Sequence, residues 1–322
     1  MDMRATAIAQ PNIALIKYWG KRDLARNLPA VGSISITLRD LFTEMDVELD
    51  EHLTADSLTV NGSVDEAMLP RLSACLDLVA GGARPRANIV SRCNFPIAAG
   101  LASSASAFAA LTVAAAEAAG RSLSTEALAN LAGRSSGSAA RSLYGGFVEL
   151  ESRDNDIAVR TLRDRDTWPL SIVIAVTETG PKAMGSTEAM EISRKTSPFY
   201  SSWIERQNED LAAARGAIIN QDFQQLAAVA EHNCLKMHSM MWASRPPTVF
   251  WNSATMNCLQ TVRKLQQAGV AVFFTIDAGP QVKAVCLPEH TQGVRESLAS
   301  TDGVIDVMVT GLGGAARIVG AA

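Results

Sequence analysis

Between Cys93 and Ala116 the chain carries no charged residue, and this run constrains the fold more than any other stretch. A segment so long and uncharged either crosses a bilayer or is buried in a protein core. Its composition decides between the two. It is mostly Ala, Ser and Gly, contains Pro96, and has few of the Leu, Ile, Val and Phe residues that drive insertion. A buried helix over 103–119, closed by Gly120, is the expectation. The turn before it reads Pro96-Ile97-Ala98-Ala99-Gly100-Leu101-Ala102-Ser103-Ser104-Ala105-Ser106. A glycine there lets backbone amides approach a ligand, and the small residues after it open a helix whose first N–H groups are unpaired. That is a cradle for phosphate by physics alone. An alanine-rich core helix with a serine cap is the competing reading, and the residues leave both open. No Gly-Lys-Ser/Thr follows, so this is not a Walker A loop.

With 322 residues, and roughly 150 per domain as a prior, the chain is long enough for about two domains and a full core. Hydrophobic residues make up 48% and charged residues 19%, as in an ordinary soluble protein. The net charge of −4, from 29 basic and 33 acidic residues, lacks the basic excess of a nucleic-acid module. Cys75, Cys93, Cys234, Cys258 and Cys286 are odd in number, widely spaced and without a C-x-x-C, which reads as reduced core residues in the cytoplasm. The first residues show no signal-peptide pattern. Neither a membrane nor a nucleic-acid partner is expected.

The first half mixes strand signals at 4–8, 33–38, 42–49 and 58–60, the last leading into the turn Asn61-Gly62. Pro70 opens a helix with Leu72, Cys75, Leu76 and Val79 on one face, stopped by Gly81-Gly82. A helix over 124–133 has Ser124 as its cap, and strands are expected at 146–151 and 170–176. The loop 178–187 marks the boundary, dividing the chain into domains 1–180 and 181–322. Helices over 202–219, 222–241 and 253–268 follow, then strands at 270–276, 282–287 and 304–309 with a short helix between the last two. The pattern is α+β, with a cleft between two domains as the default ligand site.

Three further segments carry chemistry-bearing residues. Lys17-Tyr18-Trp19-Gly20-Lys21 places two lysines and a phenol together, suited to a polyanion, with a strand end and solvated lysines as the alternative. Arg134-Ser135-Ser136-Gly137-Ser138-Ala139-Ala140-Arg141 joins Gly and Ser at a loop-to-helix junction and ends in an arginine able to grip a carboxylate or phosphate with two prongs. Thr275-Ile276-Asp277-Ala278-Gly279-Pro280 puts a carboxylate at a strand end, costly unless paired or facing a cleft; an Asx-turn is the competing reading. His52, His232, His238 and His290 have no metal-ligand spacing, and Met237, Met240 and Met241 beside Trp242 read as packing.

In this order the four segments resemble the GHMP kinase superfamily and, within it, the diphosphomevalonate decarboxylases, over nearly the whole chain from Ala7 to Gly313. Asn61-Gly62, Pro70-Arg71-Leu72, Gly185-Ser186-Thr187 and Thr196-Ser197-Pro198 share the likeness. Departures are Val31 where the family usually has asparagine, Ala140 where cysteine is common, and Ala189 in place of glycine.

The resemblance implies a two-domain GHMP kinase-like fold, with a ribosomal protein S5 domain 2-like first half and a ferredoxin-like second half. It implies ATP- and Mg2+-dependent decarboxylation of diphosphomevalonate to isopentenyl diphosphate in a homodimer. Asp277 would sit by the tertiary hydroxyl as base or orienting acceptor, Lys17 would hold it charged, and Arg141 would fix the substrate carboxylate. Tyr18, Trp19, Gly20, Lys21, Arg71, Ser136, Gly137, Ser138, Ala139, Ala140, Ser186 and Thr187 would form the remaining substrate contacts. Gly100, Leu101, Ala102, Ser103, Ser104, Ala105 and Ser106 would take the ATP phosphates. Rival readings are a decarboxylase of phosphomevalonate, a mevalonate 3-kinase that stops at phosphorylation, and a non-catalytic binder of a nucleotide or metabolite.

Overall fold

A computed structural model describes residues 3–95, 102–180 and 184–320. Its helices are α1 (Leu69–Ala80), α2 (Ser103–Ala118), α3 (Thr125–Ser135), α4 (Ser186–Thr196), α5 (Tyr200–Asn220), α6 (Phe223–Trp242), α7 (Ser253–Gln267) and α8 (Thr291–Ala299). The capping signals act as their chemistry requires. Ser124 accepts from the Ala127 amide at the start of α3, Asp222 accepts from Gln225 at the start of α6, and α1 stops at Gly81 in the left-handed region.

A six-stranded sheet runs in the order Arg317–Val319, Arg4–Ala9, Thr43–Asp50, Arg86–Cys93, Ser57–Val60, Ser63–Val64. Helix α2 lies across it. Ala109, Ala110, Leu111 and Ala114 share one buried cluster with Ala5, Ala7, Met45, Val47 and Ile89 of the strands. Alanine dominates this helix because it is buried on nearly every side, and short side chains let it sit close to the sheet. The uncharged run is thus a core helix, and no described helix is long and apolar enough to cross a membrane.

A second, four-stranded sheet orders Ile157–Arg163, Phe147–Ser152, Ser33–Thr37 and Asn12–Ile16. A third orders Val272–Thr275, Val282–Cys286, Ser171–Val176 and Asp306–Gly311, all antiparallel. Helices α5 and α6 bridge the two. Leu211, Ala214, Ile218 and Leu226 pack in one cluster with Ile13, Ile34 and Ile36 of the second sheet and with Ile172, Ile174 and Phe273 of the third. Alternate residues Val173 and Ala175 join Leu259, Val262, Val294 and Leu298 of α7 and α8, so this strand is buried on both faces. The strand Ser171–Val176 therefore enters the third sheet from before residue 180. The chain end returns to the first sheet, with Val319 opposite Thr6.

Several elements extend beyond the expected ones. Helix α4 begins at Ser186, within the segment expected to be loop, and buries Ala189, Met190 and Ser193. Strands Arg86–Cys93, Ile157–Arg163 and Arg317–Val319 are also additional; the first carries polar Ser91 on its buried face, which blurs its alternation.

Candidate active site

The strand Asn12–Ile16 is buried along its whole length and delivers Lys17 at its end. Two helices from the other half of the chain grip the Lys17 backbone. Its N–H donates to Asn233 Oδ1 at 2.8 Å, and its C=O accepts from Gln207 Nε2 at 2.8 Å. Asn233 in turn donates to Gln207 Oε1 at 3.0 Å and to Asp210 Oδ2 at 2.6 Å. All these groups are buried, so each pairing removes a desolvation cost. The Lys17 side chain is 1% exposed, which excludes a solvated strand-end lysine, and its Nζ donates to Asp277 Oδ1 at 2.7 Å.

Asp277 lies just past the strand Val272–Thr275. Thr275 Oγ1 donates to Ala14 O at 3.1 Å, tying the two strand ends together. The Ile276 amide donates to Cys234 Sγ at 3.2 Å, and Ile276 O pairs with His238 Nε2 at 3.1 Å, so α6 holds this backbone too. The following turn closes through the backbone, Gly279 N–H to Asp277 O at 2.8 Å, and the Asp277 side chain is turned to Lys17. Lys283 Nζ lies 3.4 Å from Asp277 Oδ2. Burial pushes the Asp277 carboxyl up, but the Lys17 and Lys283 charges and the Lys17 hydrogen bond outweigh it and hold it well below the usual carboxylate range.

Arg141 sits in the short 3-10 helix Ala139–Leu143 and is 2% exposed. Its guanidinium donates to Asn12 Oδ1 at 3.1 Å, Ser33 Oγ at 2.6 Å and Ser35 Oγ at 3.0 Å. Among the described residues it forms no ion pair, and burial lowers its pKa to about 10 against the opposing charge of Asp277. A buried cation held only by neutral oxygens leaves room for an anion.

These groups border one cavity of about 660 Å³. Lys17, Tyr18, Trp19, Lys21, Arg71, Ser136, Gly137, Ser138, Arg141, Ser186, Thr187 and Asp277 all line it, as do Ala102 and Ser104 at the start of α2. Lys21 Nζ donates to Thr187 Oγ1 at 3.0 Å, spanning from the first half of the chain to α4. Burial and then the nearby Arg71 charge lower the Lys21 pKa. Arg71 packs over the Phe108 ring, 4.9 Å from its centroid. Tyr18 Oη accepts no hydrogen bond and makes none among the described residues, and burial raises its pKa to about 12. Among the described residues no side chain caps the first turn of α2, whose cap residue Ala102 has a left-handed φ of 53°.

Gly20, Ser103, Ala105, Ser106, Ala139 and Ala140 do not line the cavity. Ala105, Ala139 and Ala140 are core residues, and the Ser106 hydroxyl bonds to Thr43 Oγ1 at 2.7 Å and to Ser103 O at 3.1 Å. Gly20, with φ at 100°, packs against the Tyr200 phenol. Gly100 and Leu101 lie outside the described residues. Sequence reasoning passed over Asn12, Ser33, Ser35, Gln207, Asn233 and Lys283. A lysine inside the apolar run Val282–Cys286 was a legible signal; Gln207 and Asn233, on amphipathic helices, offered none. Among the described residues no group of three or more His, Cys, Asp or Glu side chains could hold a metal ion.

Residues 9–159 match the family described as diphosphomevalonate decarboxylase-like N-terminal domain, and residues 172–306 match the mevalonate 5-diphosphate decarboxylase C-terminal domain. The diphosphomevalonate decarboxylase of Candida albicans is 35% identical over 297 residues, covering 86% of this chain and 82% of that protein. The crystal structure of mevalonate diphosphate decarboxylase from Staphylococcus aureus superposes with a TM-score of 0.92 at 36% identity, covering 98% of both chains. A structure of MDDEF in complex with MVAPP, AMPPCP and magnesium gives 0.91 at 32% identity, again covering 98% of both chains. The two-domain α+β fold, the matches to both halves and the extent of the likeness place this chain in the diphosphomevalonate decarboxylase family.

Proposed function

We propose that this chain catalyses the ATP-dependent decarboxylation of diphosphomevalonate to isopentenyl diphosphate, releasing ADP, phosphate and CO2. The observation that carries the reading is Arg141, a buried guanidinium with no anionic partner among the described residues, in the same cavity as the Lys17–Asp277 pair. A substrate carboxylate supplies the missing anion. Held there, its C–C bond is fixed in direction relative to the hydroxyl that Asp277 receives.

A tertiary alcohol is a crowded, weak nucleophile, so positioning and charge neutralisation do most of the work. The hydroxyl oxygen forms a bond to the γ-phosphorus of ATP while the bond to ADP breaks, and its proton passes to an oxygen of the transferred phosphoryl group. The new phosphate then departs with its C–O bonding pair, and the electrons of the breaking C–C bond form the double bond as CO2 leaves. Lys21, Arg71, Tyr18, Ser136, Ser138, Ser186 and Thr187 hold the diphosphate end; all line the cavity, and Lys21 Nζ donates to Thr187 Oγ1. The N-terminal end of α2, where Ala102 and Ser104 line the cavity, meets the nucleotide's phosphates. ATP would enter as its magnesium complex, the ion offsetting phosphate charge.

All five cysteines are free thiols, in keeping with a cytoplasmic enzyme. The family resemblance supports a homodimer, and both parts of the chain contribute to the cavity, Lys17 and Arg141 from residues 1–180 and Ser186, Thr187 and Asp277 from residues 181–322. The test is purified protein with Mg2+ and ATP, offered diphosphomevalonate or phosphomevalonate, with CO2 and ADP measured together. Stoichiometric CO2 and ADP from diphosphomevalonate is the expected result. Release from the monophosphate alone moves the reading to a phosphomevalonate decarboxylase, and ADP without CO2 moves it to a 3-kinase.

A further inference from the structure

Asp277 faces two ammonium groups, although one neutralises its charge. Lys17 takes Oδ1 at 2.7 Å by a hydrogen bond, and Lys283 forms an ion pair with Oδ2 at 3.4 Å, an oxygen that accepts no hydrogen bond among the described residues. Lys283 occupies the middle of the strand Val282–Cys286, whose residues are all buried, and its own side chain is 0% exposed. A lysine costs free energy in such a strand unless it meets an anion, and an apolar residue would pack there without that penalty. The lysine therefore has a use that packing does not explain.

The register shows how it reaches Asp277. Lys283 pairs with Thr275 on the neighbouring strand, two residues before Asp277, so the connecting turn carries the carboxylate back over the lysine. Lys17 approaches the same carboxylate from the other half of the chain. The other titratable groups around Asp277 are Arg141 from the short 3-10 helix and Cys234 and His238 from α6. Burial keeps Cys234 a thiol and His238 neutral, so among the described residues cations outnumber the anion.

We propose that Lys283 is a positioning residue for the reaction, holding the second oxygen of Asp277 so that the carboxylate stays a fixed anion and presents a preset acceptor to the substrate hydroxyl. This rests on the reading of Asp277 as the group that receives that hydroxyl. Lys17 and Lys283 clamp the carboxylate from opposite chain segments and resist its rotation. The surplus positive charge is balanced when the substrate's carboxylate enters beside Arg141.

The experiment compares wild type, Lys283→Met and Lys283→Arg for kcat and for both KM values. Lys283→Met should lower kcat by about 30-fold with both KM values within about threefold. Lys283→Arg should recover most of the loss. Lys283→Gln, which keeps a polar end in the strand, replaces the Met variant if thermal melting shows that the latter does not fold. An unchanged kcat in an otherwise active enzyme rejects the role of Lys283 alone. A raised KM for ATP with kcat intact rejects it as well, making Lys283 a nucleotide contact. Wild-type protein that releases no CO2 from diphosphomevalonate overturns the functional reading and the positioning role with it.

Discussion

Lys17 Nζ lies 2.7 Å from Asp277 Oδ1, although 260 positions separate the two residues in sequence. The pair closes the cavity from opposite halves of the chain, so neither half alone contains the site. Replacing Asp277 by Asn keeps the shape and removes the charge. Turnover should fall by about a thousandfold while the dissociation constant for ATP stays within a few-fold. Steady-state kinetics beside nucleotide titration check this, and near-normal turnover would remove Asp277 from the chemistry.

Gly137 and Tyr18 are in close contact. A Cβ at residue 137 would lie 2.5 Å from Tyr18 Oη, so Gly137→Ala must displace the phenol from the cavity wall. The expected result is a rise of about tenfold in KM for diphosphomevalonate with little change in KM for ATP. A variant with unchanged substrate KM shows that Tyr18 does not bind the substrate.

Asn233 reaches the site only through the backbone of Lys17. Asn233→Leu leaves the Lys17 amide buried without a partner, which costs about 1–3 kcal/mol. Melting temperature and kcat should both drop, while KM for ATP is retained because α2 is not disturbed. Equal kcat in the variant and the wild type would show that Lys17 holds its place without the clamp.

His238 is buried against Trp251, ring centroids 4.8 Å apart, and burial lowers its pKa to about 3 despite the hydrogen bond to Ile276 O. Unfolding returns it to an ordinary value of about 6.5, so the unfolded chain binds a proton that the folded chain refuses. Its contribution to stability is complete above that ordinary value and is lost as pH falls toward the folded value. Between about pH 6.5 and pH 5, before most carboxylates titrate, the wild-type melting temperature should fall more steeply than that of His238→Gln. Parallel curves in that window would show that His238 is not the group responsible.

Much of the local structure was legible because its signals are local. Pro70 and Gly81 bound α1, Ser124 and Asp222 cap their helices, and the composition of the uncharged run marks α2 as buried. Helix α4 and the strand Arg317–Val319 were not legible. The first sits in a polar stretch with few buried residues, and the second is short and exists through its pairing with Arg4–Ala9. The Ser and Gly motifs led to the cavity, but they also drew in Ala105, Ser106, Ala139 and Ala140, which neighbour site residues in sequence yet face the core.

By itself the sequence determined which residue types were available at each strand end and helix start, and hence the class of chemistry and the family. Tertiary structure decided which of them meet. Whether Lys17 is a solvated strand-end lysine or the partner of Asp277, and whether Asp277 closes an Asx-turn or faces a cavity, depends on α5 and α6 packing between two sheets. Burial then sets the chemistry. It leaves Arg141 charged with no anion among the described residues, and it makes Lys283, which looks like a misplaced charge in an apolar strand, a second cation on the site carboxylate. Such energies arise from desolvation and from contacts between distant segments, and a linear reading contains neither.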